Sequence, residues 1–151
     1  MSEEGSKAVS LKMPGHLIRR LHQVSTHVFT QRVKAAGFDL TPVQFATLDA
    51  LRHNPGIDQA GLANAIAKDR ATIGAVIDRL EQKGLVERTV SRRDKRARKL
   101  TLTENGENVI AKLIPVVDGL QKDILPGLSD VEYQQFIALA AKAAKAAGPV
   151  G

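Results

Sequence analysis

Basic side chains crowd a single short segment of the chain. From Arg88 to Lys99, seven of the twelve residues are Lys or Arg, and only Asp94 opposes them. So much like charge in one segment raises its free energy through mutual repulsion. An anionic partner relieves that repulsion, and DNA adds a driving force because binding releases the counterions held by its phosphates. The segment therefore predicts nucleic-acid binding, against the alternative of a charged loop that is only solvated.

The residues before the basic segment predict a helix-turn-helix. Asp58 can cap a short helix over residues 59–67, and Asp69 can cap a second helix over residues 70–83. Gly84 is a C-terminal stop for the second helix. Two helices joined by a tight turn form a helix-turn-helix, whose second helix can enter the major groove of DNA.

The residues after the second helix predict a β-hairpin. Two β-like runs, over residues 85–90 and 99–103, flank the polar and basic residues 91–98. A hairpin directly behind a helix-turn-helix is a wing, and a narrow minor groove attracts the arginines of such a wing. The predicted fold class is therefore mainly α with a small β-hairpin wing, a winged helix-turn-helix.

Longer helices account for the rest of the chain. An apolar repeat with helical spacing predicts a helix over residues 14–36, and residues 104–147 predict further helices, which Pro115 kinks or splits. A winged helix-turn-helix is expected at about residues 40–103. The expected organisation is a flexible arm, a single domain and a tail, over residues 1–13, 14–147 and 148–151.

Composition and motifs exclude several classes of function. The chain has a net charge of +6 and no Cys, which excludes disulfides, thiol redox sensing and Cys-based zinc sites. The sequence contains no phosphate-binding loop, nucleophile motif, catalytic carboxylate pair or metal motif, so we expect no enzyme activity, cofactor or metal. No apolar run approaches the roughly 18 residues that span a membrane, and the polar N-terminus is not a signal peptide. These observations predict a cytoplasmic protein that does not associate with membranes.

Four segments in the middle of the chain carry a more specific signal in their order and spacing. They are Leu40–Phe45, Asp69–Thr72, Ile77–Val86 and Asp94–Gly106. Together they resemble the MarR (multiple antibiotic resistance regulator) family of homodimeric winged-helix regulators. The resemblance implies a transcriptional repressor that binds double-stranded operator DNA. It also implies a homodimer joined through the N- and C-terminal helices.

The resemblance assigns roles to individual residues of the wing. Arg96, in the Asp-x-Arg pattern of the family, would enter the minor groove, and Asp94 would steer it through an ion pair. A turn-forming role is the alternative for Asp94. The other expected wing contacts are all basic: Arg92, Arg93, Lys95 and Arg98.

The second helix of the pair departs from the common family pattern, in which Ser, Thr and Arg occupy the outward face. The corresponding positions here carry small side chains: Ala71, Thr72, Gly74 and Ala75. Small residues allow the helix to approach DNA closely, and the methyl of Ala71 or Ala75 can touch a thymine methyl. Arg70, Thr72 and Arg79 are then expected to supply most polar contacts. A solvated cation near the helix C-terminus is the alternative for Arg79.

Cationic side chains on the first helix suggest an effector site. They are His16, Arg19, Arg20 and His22. In the family, small aromatic or carboxylate ligands often bind where the dimerisation helices meet the DNA-binding lobe. The run Leu17–Gln23 looks similar to members that control hydroxycinnamate and nicotinate catabolism. Because an arginine matches a carboxylate and Arg19 lies one turn from His22, the resemblance implies a small aromatic acid effector. The alternative is an ordinary solvated or interfacial helix face.

Three other functions fit the sequence less well than this interpretation. A winged-helix DNA- or RNA-binding protein without a ligand switch is the main rival, but it leaves the long terminal helices without a purpose. An enzyme lacks the motifs named above. A membrane-surface protein would need an amphipathic helix with bulky apolar residues beside the basic segment, and the sequence has none there.

Overall fold

A computed structural model describes residues 8–66, 70–90 and 98–148 of the chain, and for Arg70 it describes the backbone alone. A short 3-10 helix comes first, over Val9–Lys12. The elements that follow are α1 (Pro14–Ala35), α2 (Pro42–His53), α3 (Gln59–Ala65), α4 (Arg70–Gln82), β1 (Val86–Val90), β2 (Arg98–Leu102), α5 (Glu104–Ile124) and α6 (Asp130–Ala147). The expected fold class, mainly α with a β-hairpin wing behind a helix-turn-helix, is confirmed. None of the helices within the described ranges has both the length and the apolar content needed to cross a lipid bilayer.

Side-chain caps start the helices where the sequence places Ser, Thr or Asp. Thr41 and Gln44 form a reciprocal capping box at α2, with both hydrogen bonds 3.1 Å long. Ser129 and Glu132 form a second box at α6, where the Ser129 amide donates to the Glu132 carboxylate at 2.9 Å. That backbone hydrogen bond lowers the pKa of Glu132 below its usual value. Local sequence therefore fixes the helix starts, because each cap satisfies an amide that the first turn leaves unpaired.

The hydrophobic core extends from the winged-helix lobe, which comprises α2, α3, α4 and the β1–β2 hairpin, onto α5 and the second half of α1. Ile73, Ile77 and Leu80, the apolar stripe of α4, are completely buried. Leu48 of α2 and Leu62 of α3 are also completely buried. This inward stripe fixes the rotation of α4 about its axis, so that the opposite face of the helix points away from the core.

The hairpin is anchored to the lobe at its base. Strands β1 and β2 pair in antiparallel fashion, with Val86 opposite Leu102 and Val90 opposite Arg98. Leu100 also forms an isolated bridge with the loop before α3, where its amide donates to the carbonyl of Ile57 and its carbonyl accepts from the amide of Gly56, both at 3.0 Å. The wing base is therefore held on both of its sides.

The start of α5 locks the junction between α4 and the hairpin. The hydroxyl of Thr103 donates to the carbonyl of Gly84 at 2.6 Å and accepts from the amide of Gly106 at 3.0 Å. A Cβ atom at Gly106 would overlap the carbonyl oxygen of Leu85, so only glycine allows this close approach. Further along, α5 continues through Pro115 as one helix. Pro115 is exposed, so water can reach the backbone carbonyl that its ring leaves unpaired.

The terminal helices are covered much less completely than the lobe. The second half of α1 joins the core through Phe29 and Val33, but Leu17 in its first half is half exposed. No residue of α6 is buried, although the helix carries Val131 and Leu139, which are 69% and 66% exposed. The predicted apolar face of α1 therefore exists, but this single chain does not cover its N-terminal end.

Candidate nucleic-acid interface

The outward face of α4 carries small and polar side chains. Ala71, Thr72, Ala75 and Arg79 are all exposed, as their positions opposite the buried stripe require. Gly74 faces α3, where a Cβ would come within 3.0 Å of the Gln59 amide nitrogen. The glycine thus serves the packing of the helix pair, and Ala71 and Ala75 form the smooth part of the outward face.

The hairpin adds cations beside that face. Arg98 and Lys99 of β2 are exposed. The expected contact residues at the tip, Arg92, Arg93, Asp94, Lys95 and Arg96, lie outside the described residues, as does the side chain of Arg70. The ion pair between Asp94 and Arg96 and the entry of Arg96 into a minor groove therefore stay predictions.

Among the described cations of the basic segment, Arg88 differs from the exposed Arg98 and Lys99, because it is largely buried in ion pairs with α4. Its guanidinium contacts the carboxylate of Asp78 at 2.7 Å and that of Glu81 at 3.2 Å. Only 19% of the Arg88 side chain is exposed. A charge count confined to the segment finds Asp94 as the sole opposing charge, whereas both acids precede the segment on α4. Their spacing on the outward face of a helix next to a basic strand was the available signal.

Lys83 is a second functional candidate that sequence reasoning missed. Its ammonium donates to the backbone carbonyl of Asp39 at 2.5 Å and to the side chain of Gln44 at 3.3 Å. The end of α4 is thereby tied to the loop between α1 and α2 and to the cap of α2. Nothing in the sequence indicates this contact, because the partners are 44 and 39 residues away.

One of the four expected effector residues lines a cleft. A cleft of about 300 Å³ between α1, α5 and α6 is walled mainly by apolar side chains. Its polar lining consists of His22, Ser25, Gln121 and Tyr133. His16, Arg19 and Arg20 do not line it; Arg19 and Arg20 are exposed, and His16 is half-buried. The structure therefore separates His22 from the other three.

A second cleft lies between α2 of the lobe and α5, with a volume of about 440 Å³. Asp49 and Asp118 both line it, together with Arg52 and His53. His53 is already engaged, because its Nδ1 lies 2.9 Å from the carbonyl of Asp49 and 3.6 Å from the carboxylate of that residue. Two carboxylates make this cleft less favourable for an anionic ligand than the first. No group of three or more potential metal ligands occurs in the part of the chain that the structure describes.

Comparisons with known proteins place this geometry in a family. A sequence model of the MarR family matches residues 38–97. The transcriptional regulator HosA of Escherichia coli O157:H7 is 35% identical over 127 residues, which cover 84% of this chain and 91% of the relative. The PcaV transcriptional regulator of Streptomyces coelicolor, solved with its natural ligand, matches with a TM-score of 0.84 and 31% identity over 94% of this chain and 99% of the other.

A further solved structure links this fold to a named ligand. BpsR of Bordetella bronchiseptica matches with a TM-score of 0.82 and 29% identity, over 92% of this chain and 97% of the other. DNA binding by that protein is regulated by 6-hydroxynicotinic acid.

Proposed function

This chain belongs to the MarR family of transcriptional regulators, and from that premise we propose how it works. It is a cytoplasmic repressor that binds double-stranded operator DNA as a homodimer and leaves the operator when a small aromatic carboxylate binds. The observation that carries the proposal is the outward face of α4, which lies beside a cationic hairpin and is free of bulky apolar side chains.

Contacts with DNA divide between the helix and the wing. Arg70, Thr72 and Arg79 supply polar contacts from α4, and the methyl groups of Ala71 and Ala75 allow it to lie close to the bases. The wing reaches the flanking minor groove through Arg96, and its exposed cations, such as Arg98, contact phosphates. The exposure of Arg79 and Arg98 supports this division, because a side chain must be accessible to reach a phosphate.

The uncovered apolar side chains of the terminal helices support a homodimer. Leu17 and Ile18 on α1 are 49% and 66% exposed, and Val131 and Leu139 on α6 are exposed to a similar degree. Exposed large apolar side chains on helices that meet at one cleft mark an interaction surface. A second copy would bury them and would present two copies of α4 to successive major grooves of a two-fold symmetric operator.

The cleft between α1, α5 and α6 is the proposed effector site. Its apolar walls suit an aromatic ring, no carboxylate lines it, and His22 can donate a hydrogen bond to an acid. Arg19, one turn before His22 on α1, lies outside the cleft lining, so its two-pronged guanidinium would meet the ligand's carboxylate only at the mouth of the cleft, with His16 and Arg20 nearby on the same helix. Regulation of the similar BpsR by 6-hydroxynicotinic acid supports an aromatic acid as the ligand class.

Selection from a randomised duplex library, followed by fluorescence anisotropy at several salt concentrations, tests DNA binding. The selected duplex should bind far more tightly than random duplex, and affinity should fall with salt by a log–log slope of about 0.9 per phosphate contacted. Arg96→Ala should lower affinity about tenfold or more without changing the thermal unfolding midpoint. Recovery of no duplex, even at low salt, contradicts the proposal.

A thermal-shift screen of aromatic carboxylates, with hits tested for release of the selected duplex, examines the effector. We expect a raised unfolding temperature and lowered DNA affinity, and His22→Ala should abolish both. His27→Ala is the matched control, because His27 lies on the same helix but does not line the cleft. If no acid releases the duplex, the chain is a DNA-binding protein without this switch.

A further inference from the structure

Arg88 lies between α4 and the wing, in a position that direct DNA contact does not explain. It lies at the centre of β1, opposite Leu100 of β2. Its side chain extends to α4 and contacts Asp78 and Glu81 through two different guanidinium nitrogens, at 2.7 and 3.2 Å. The planar guanidinium is suited to two acceptors at once, whereas a lysine offers a compact point charge on a flexible stem.

The two acids need this cation for an electrostatic reason. Asp78 and Glu81 are three residues apart on α4, so they are neighbours on the helix surface and repel each other. Their side chains are 61% and 44% exposed on the helix that faces DNA. Without a cation they would also repel the phosphates. Arg88 offsets the negative charge of the two carboxylates, and they in turn offset the positive charge of Arg88.

The connection between the two elements is short and well defined. Gly84, with a φ of 75°, ends α4, and the Leu85 amide donates to the carbonyl of Leu80 at 3.0 Å. This turn sets where β1 leaves the helix. The two ion pairs of Arg88 lie three residues after Leu85, and they hold the hairpin against α4 at a point where it would otherwise be free to tilt. The contacts therefore constrain the angle between the helix and the wing.

We propose that Arg88 is a positioning residue for DNA binding. It fixes the wing against α4 through Asp78 and Glu81 and does not itself bind a phosphate. This inference rests on the proposed function, because it assumes that α4 and the hairpin both contact DNA. It separates Arg88 from the exposed cations of the same basic segment.

The salt dependence of binding distinguishes positioning from phosphate contact. Arg88→Met removes the charge and keeps an apolar stem, and Arg98→Met on the neighbouring strand is the matched variant of an exposed cation. Both would be titrated against the selected duplex between about 50 and 200 mM salt. We expect Arg98→Met to reduce the salt slope by about 0.9, and Arg88→Met to leave the slope unchanged while lowering affinity about tenfold.

A second readout excludes simple loss of folded protein. A destabilised lobe would lower binding to selected and random duplexes alike, whereas a misplaced wing should lower the ratio of the two affinities. Arg88→Lys retains the charge and should recover only part of that ratio. Asp78→Asn, which removes one acceptor and leaves every cation in place, should also lower the ratio, and it provides the test if Arg88→Met does not fold.

Two results would overturn the inference. One is a salt slope for Arg88→Met that falls as much as that for Arg98→Met, which would make Arg88 a phosphate contact. The other is an unchanged affinity ratio in both Arg88→Met and Asp78→Asn. Failure of the unaltered chain to bind any selected duplex would instead contradict the proposed function.

Discussion

The winged-helix lobe and the terminal helices differ in how completely they bury their apolar side chains. In the lobe, α4 buries Ile73, Ile77 and Leu80 completely against its neighbours in the same chain. In the terminal region, α6 buries no residue and leaves Val131 and Leu139 about two-thirds exposed. Side-chain caps begin α2 and α3 in the lobe and α6 in the terminal region, so the difference lies in what covers the helices.

This difference indicates which parts of the molecule are complete in one chain. In the described part of the lobe, a buried core, a hairpin anchor and ion pairs within one chain already position the outward face of α4. In contrast, α6 and the first half of α1 leave large apolar side chains uncovered, and the proposed second copy would bury them. Four tests probe that contrast, from the largest expected effect to the smallest.

Gly106→Ala should destabilise the lobe most, by about 3 kcal/mol or more, because the added methyl overlaps a backbone carbonyl that cannot rotate away. Thermal and denaturant unfolding measure the change. Gly119→Ala is the control, since it lies on the same helix with open space around the added methyl. That variant should be neutral or more stable by up to about 1 kcal/mol. Equal destabilisation of the two variants would contradict the locked junction.

Leu139→Glu should affect association and spare the lobe. Burying a carboxylate at an apolar interface should weaken dimerisation about 30-fold or more, measured by sedimentation equilibrium. Ala141→Glu introduces the same residue about 200° further around α6 and should have a smaller effect. A Leu139→Glu chain that dimerises like the unaltered one would remove α6 from the interface.

Thr103→Val compares a cap in the lobe with one in the terminal region. The substitution removes the α5 cap and the hydrogen bond to Gly84, at a cost of about 2 kcal/mol. Ser129→Ala removes only the cap of α6 and should cost about 1 kcal/mol or less. Chemical denaturation of both variants checks the order, and a larger loss for Ser129→Ala would reverse the comparison.

The pH dependence of α6 is the smallest expected effect. Because the pKa of Glu132 is lowered in the folded chain, its capping bond stabilises the helix above the ordinary carboxyl pKa of 4.5. That contribution is lost as the pH falls through the lower folded value, when the carboxylate is protonated. Glu132→Gln should show less loss of helix in circular dichroism below about pH 4.5. Identical acid profiles would contradict the capping role.

Local signals in the sequence were sufficient for most of the fold. The Thr41 and Ser129 caps, the apolar stripe of α4 and the turn at Gly84 act over a few residues, so they can be recognised without a structure. Pro115 was ambiguous, because its effect depends on whether water can reach the carbonyl that it leaves unpaired. In the structure Pro115 is exposed and α5 continues.

The candidate site was harder to predict, because its geometry depends on contacts between distant elements. The roles of Arg88 and Lys83 depend on partners on other elements, and the burial of each helix face depends on tertiary packing. Charge counting alone assigned Arg88 to the DNA-facing cluster, whereas the structure pairs it with Asp78. The four candidate effector residues all lie on α1, and of these four only His22 lines the cleft that α1, α5 and α6 form together.

The mass of the complex between the full chain and its selected duplex tests the central claim most directly. Sedimentation of the complex at saturating protein should give two chains, each of 16.3 kDa, on one duplex that contains two half-sites. That result agrees with a homodimer that presents one α4 to each half-site. A saturated complex with one chain per duplex would contradict the account.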